Sequence, residues 1–129
     1  MASSWSCERN PRRLPGVHAV HGHSSHHVKG IEVHAGQPIL YGCGDLLTDY
    51  EGIRRHERFR GDLSLLYLVS LDAAGALAKL EMVPMRMWRF RITHAGSDDT
   101  RWLASVLAVC GRSLRTSVAI EADRIFLKW

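Results

Sequence analysis

The sequence predicts an α/β fold on a mixed sheet, with hairpins and one clear helix. Short runs of alternating apolar and polar residues, broken by Gly and Pro, recur between Gly16 and Ile92. One stretch, Ser97–Leu114, instead repeats its apolar residues at helical spacing. A further alternating segment closes the chain at Ser117–Trp129. No internal repeat interrupts this order, and 129 residues suit one domain.

Taken in order, residues 1–15 read as a disordered or unrelated leader, and 16–129 as the structured portion. "GVHAVHG" (Gly16–Gly22) is apolar on both faces, which predicts an internal strand of parallel type ending at Gly22. "GIEVHAGQPILYGCG" predicts a hairpin. Gly36 tolerates positive φ in its turn, and Pro38 opens the return strand. Asp45–Asp62 mixes its signals and reads as a loop with one helical turn. "LSLLYLVSLD" is apolar enough to predict a buried strand, turned by "AAGA". Leu77–Ile92 is a long strand or a broken pair. Its phase slips near Met87–Trp88, and Pro84 cannot donate to a ladder, so a bulge or edge position is expected there. In the helix, Ser97 is the expected N-cap and Asp98 and Asp99 favour the positive end. Trp102, Leu103, Val106, Leu107 and Cys110 form the apolar stripe, and Gly111 is a candidate terminator. Ser117–Trp129 closes as a strand or hairpin.

Composition excludes several classes. Hydrophobic content of 46% and charged content of 23% fit a globular domain. No apolar run reaches the roughly 20 residues of a membrane span, and the first sixteen residues lack the apolar core of a secretory signal. Cys7, Cys43 and Cys110 are far apart and odd in number, which argues against a disulfide framework and for a reducing compartment. A cytoplasmic location is therefore expected. The net charge is +4, but the seventeen Lys and Arg are spread out. The densest clusters, Arg54–Arg60 and Met85–Arg91, read as solvated faces. Nucleic acid is not an expected partner, although a basic surface suits an anionic polymer.

Five of the eight histidines lie between Val20 and Leu47. His23 and His26 sit in a loop directly after Gly22, where a strand ends. Ligand sites in open α/β sheets lie beyond the carboxyl ends of strands. Two imidazoles three residues apart in a tight loop can both reach one divalent metal ion. These two are the candidate metal ligands. His18, His34, His56 and His94 have no chelating neighbour and are expected to be solvated or hydrogen-bonded bystanders. His21 and His27 are nearer, yet adjacent side chains in a strand or turn tend to point apart. Ser24 and Ser25 do not form a Gly-x-Ser-x-Gly elbow, so a serine hydrolase has no support.

The ordered string Gly22-His23-Ser24-Ser25-His26, Gly30-Ile31-Glu32, Gly36-Gln37-Pro38-Ile39 and Tyr41-Gly42-Cys43-Gly44-Asp45 resembles the C-terminal signature of the CapA/PgsA-like poly-γ-glutamate capsule biosynthesis proteins. That family lies within the calcineurin-like metallophosphoesterase superfamily. The resemblance is strongest from Gly16 to Ile92. It implies the closing part of an α/β sandwich, with His23 and His26 in the last metal-ligand turn of a two-metal site acting on a phosphoester. Asp45 stands where the family often has Asn, so its role stays open. Asp49 and Glu51 gain no placed role.

The family's other ligands lie on earlier strands, and the fifteen residues before Gly16 carry none of those motifs. Two histidines do not complete a two-metal site. The chain alone is therefore expected to be inactive. It would be a truncated product or one half of a split protein, seeking a missing N-terminal half or a second copy. The alternative is a non-catalytic metal-binding or interaction module.

Overall fold

The computed structural model describes residues 17–22, 28–43 and 62–129. Two sheets and one helix make up this part of the chain, in the α/β class. The smaller sheet holds β1 (Val20–His21), β2 (Ile31–His34) and β3 (Gln37–Leu40) in the order β1-β3-β2. β1 and β3 run parallel, and β2 and β3 form the expected hairpin. Its turn takes Ala35 and Gly36 through positive φ, at 50° and 78°, which matches the right-handed twist of the two strands. β1 is parallel as expected, but it is an edge strand of the described part. Among the described residues it pairs only with β3, and Val20 and His21 are both exposed.

The larger sheet holds β4 (Leu63–Leu71), β5 (Leu77–Trp88), β8 (Arg124–Lys128) and β7 (Ser117–Glu121) in that order, with β6 (Arg91–His94) also paired to β5. Leu77–Ile92 is the broken pair of the two readings, split into β5 and β6, and no bulge near Pro84 or Met87–Trp88 occurs among the described residues. The phase slip marks a hairpin turn at Arg89 and Phe90, whose φ values are 48° and 61°. Left-handed backbone costs about 1–2 kcal/mol per non-glycine residue, so this turn is strained. Pro84 is accommodated differently. β8 pairs with β5 at Glu81 and Met82, and β6 pairs from Met85 onward, so Pro84 falls between them. Its carbonyl accepts the Ala95 N–H at 3.0 Å on that same side, one residue past the end of β6, so the reciprocal bond that Pro84 cannot donate falls just outside the paired ladder. The register shift lies instead at Ser70/Leu71.

β4 is buried only at Leu63–Leu65. Leu66, Leu68, Val69 and Leu71 are 37–41% exposed, because β4 pairs only with β5 among the described residues and its second half runs past the core.

The helix α1 (Ser97–Leu114) lies against β7 and β2. Its N-cap is Gly96, not Ser97. The extended Gly96 backbone aims its carbonyl at the Thr100 N–H (2.9 Å), and the Thr100 hydroxyl also donates to it. The helix continues past Gly111 and stops at Arg115, which turns left-handed. Gly111 serves packing: a Cβ there would stand 2.3 Å from the Thr116 carbonyl oxygen. Thr116 in turn donates its hydroxyl to the Ile31 carbonyl at 2.7 Å, tying the helix exit to β2. The expected stripe is real, with Leu103, Val106, Leu107 and Cys110 buried and Trp102 partly so. Each buried leucine contributes about 2 kcal/mol by area. Leu103 and Leu107 share one core with Val28, with Ile31 and Leu40 of the smaller sheet and with Leu80, Met82 and Ile125 of the larger.

Three chain segments meet at one corner. The Asp72 carboxylate accepts the N–H groups of Ala74 and Ala76, both at 2.9 Å, closing the β4–β5 turn. The Leu77 N–H donates to the Gly36 carbonyl at 2.6 Å. The His18 ring lies so close to Gly75 that a Cβ there would stand 2.3 Å from its Nδ1.

Candidate functional site

His23 and His26 lie outside the described residues, as do His27, Asp45, Asp49, Glu51 and His56. The structure describes the two stems of their turn. Gly22 ends β1, and its N–H donates to the Leu40 carbonyl at 2.7 Å. A Cβ on Gly22 would stand 2.5 Å from the Tyr41 carbonyl oxygen, so only glycine permits this approach. The chain returns at Val28, bridged to Cys43 in antiparallel sense. The Lys29 N–H donates to Gly42 (2.9 Å), and the Tyr41 N–H donates to Gly30 (3.1 Å). Val28 and Ile31 are buried in the core. Both stems therefore dock on one segment, Leu40–Cys43, beyond the shared carboxyl ends of parallel β1 and β3. That is where ligand sites of open α/β sheets lie.

Around the stems, the Tyr41 hydroxyl donates to Glu32 Oε2 at 2.6 Å. Burial raises the Cys43 thiol above its ordinary range, so it stays protonated at neutral pH. The Tyr67 hydroxyl is buried with no hydrogen-bond partner among the described residues. Burial, with Cys43 adding to it, pushes its pKa well above the usual phenol range. Neither the Gly22 contact nor the Tyr67–Cys43 neighbourhood was signalled by spacing, because both depend on contacts between distant segments.

His18, His21, His34 and His94 are all exposed. Among the described residues, no three or more His, Cys, Asp or Glu gather where they could hold a metal ion. Among the same residues, no helix is long and apolar enough to cross a membrane.

Residues 13–50, which include the whole turn and both stems, match the family described as "Bacterial capsule synthesis protein PGA_cap". Over 111 residues the chain is 47% identical to each of two Mycobacterium tuberculosis proteins, from different strains, both named "Probable polyglutamine synthesis accessory protein". These matches support the resemblance to CapA/PgsA-like capsule synthesis proteins over this part of the chain. The matched stretch takes in 85% of this chain and 29% of each relative, so the chain spans under a third of the curated relatives' length.

Proposed function

We propose that this chain supplies the Gly-His-x-x-His turn of a metal-dependent, phosphoester-processing centre in a capsule-polymer assembly protein of the poly-γ-glutamate type. The observation that carries the reading is the family match across residues 13–50, which spans the turn and its stems. In this reading His23 and His26 are metal ligands. Imidazole nitrogen suits a divalent transition metal, and the close backbone approach at Gly22 fixes where the turn begins. A bound pair of divalent ions would supply charge neutralisation and an activated water. Two imidazoles do not complete such a site, so further ligands must join His23 and His26 before it can act on a phosphoester.

Calorimetric titration of the whole chain with Mn2+ and Zn2+ tests this. Wild type should bind, and the His23→Ala/His26→Ala double variant should lose about tenfold or more in affinity. Equal binding by both proteins, or no binding by wild type, overturns the ligand assignment. Hydrolysis of bis(p-nitrophenyl) phosphate that survives the double substitution overturns the catalytic part.

A further inference from the structure

The β5–β6 hairpin carries a feature the metal turn does not use. β5 runs past the end of the core. The face that buries Leu80, Met82 and Pro84 therefore emerges at its far end with Arg86 and Trp88. Trp88 is 58% exposed and Phe90 61%. The Arg86 guanidinium lies 5.3 Å from the Trp88 ring centre and that of Arg89 5.8 Å. Arg91 stands opposite Trp88 in the ladder, on the same face, and is exposed. No Asp or Glu occurs between Pro84 and Gly96. Among the described residues the acid that approaches is Asp62, whose Oδ2 lies 3.3 Å from Arg86 Nε. Arg89 and Phe90 hold the turn in left-handed backbone, where hairpins ordinarily place Asn-Gly. Strain of this kind, at exposed and chemically distinctive residues, marks a functional position.

We propose that this hairpin tip binds an extended polycarboxylate, with Arg89 and Arg91 pairing its carboxylates and Trp88 holding the guanidinium array in place. The guanidinium fork matches carboxylate geometry, and stacking on an indole pre-orients it. Nucleic acid fits less well, because Trp88, the larger ring on which a base would stack, already carries two guanidinium groups. A bilayer fits less well too. Arg89 lies at the tip between the two projecting aromatic residues, and insertion would bury its charge. The proposal rests on the polymer-assembly reading for the kind of polymer, and not on the metal turn.

The test is anisotropy of fluorescently labelled poly-γ-glutamate titrated with the whole chain at low and physiological salt. Wild type should bind, more weakly as salt rises. Arg89→Gln/Arg91→Gln should weaken binding by about tenfold or more. Arg112→Gln, which removes an equal type of charge from the exposed face of α1, should change it less than about twofold. Competition by poly-α-glutamate as strong as by the γ-linked polymer supports a site for the shared carboxylate chemistry. Equal affinity of the double variant and wild type overturns the proposal, as does tighter binding of single-stranded DNA or phosphatidylglycerol vesicles. His23→Ala/His26→Ala should keep polymer binding intact. In the wild-type chain, metal binding without polymer binding sinks this proposal alone, and polymer binding without metal binding sinks only the metal reading.

Discussion

Replacing Gly22 with alanine isolates the contact that launches the histidine turn. The new Cβ would sit 2.5 Å from the Tyr41 carbonyl oxygen. That is about 0.8 Å inside the roughly 3.3 Å of a close carbon–oxygen contact. The obstacle is backbone, and it is pinned from the other side: Tyr41 and Gly42 are hydrogen-bonded to Gly30 and Lys29. The strands must part, with overpacking costing about 1–3 kcal/mol. The 2.7 Å Gly22–Leu40 hydrogen bond weakens with them, at about 1 kcal/mol. Against this, alanine is better than glycine in a strand by about 0.5–1 kcal/mol. The net is a loss of about 2 kcal/mol. In urea the unfolding midpoint should fall by about 1 M with an unchanged slope, taking a slope near 2 kcal/mol/M. Metal affinity should fall in the same variant under native conditions, because His23 follows directly. A midpoint within about 0.2 M of wild type would refute the argument that Gly22 is there for space.

Three further expectations follow from contacts elsewhere. Tyr67→Phe removes a buried hydroxyl that has no partner among the described residues and should stabilise the chain by about 1 kcal/mol in denaturant melts; a loss of that size would mean the hydroxyl is bonded. Hydrogen bonding from Arg124, then from Lys79 at 3.3 Å, lowers the Glu81 pKa. Its stabilisation is present above the unfolded glutamate value near about 4.3 and is lost as pH falls through the lower folded value. Glu81→Gln should thus be less stable at neutral pH and show a flatter decline in acid; parallel pH profiles would contradict this. Leu68→Lys puts a charge on the exposed half of β4, opposite Glu81, and should reduce concentration-dependent association in sedimentation velocity; a wild type that stays monomeric at about 100 μM removes the basis for this expectation.

Legibility differed by element, for physical reasons. The β2–β3 hairpin, the helix and the β7–β8 pair were readable because local periodicity and turn chemistry decide them. The helix ran past Gly111 because the αL cap at Arg115 terminates it, and Gly111 answers to Thr116, five residues on. The Arg89–Phe90 turn shows in the sequence only as a slipped phase, open to a broken pair or a bulge, because it lacks glycine and carries the strain a turn normally avoids. Pro84 was read as an edge or bulge signal because no sequence rule shows that β6 and β8 divide one side of β5 around it. The exposure of β1 and of the second half of β4 depends on which neighbours are in place, and apolar content alone does not report that. As for the site, the motif named His23 and His26, while the close approach that sets their turn had to be seen in three dimensions.

The corner where His18, the Asp72–Ala76 turn and Gly36 meet bears on where the molecule tolerates added chain. Hairpin tips are ordinarily the safest places for insertions and new termini. Here two tips are latched to each other through Leu77 and Gly36, and Gly75 is covered by His18. An epitope or a labelling loop spliced in at Ala73–Ala74 would unlatch both hairpins together. The exposed Ala122–Asp123 turn carries no such latch among the described contacts, and it is the site where a reporter can be spliced in with the fold left intact.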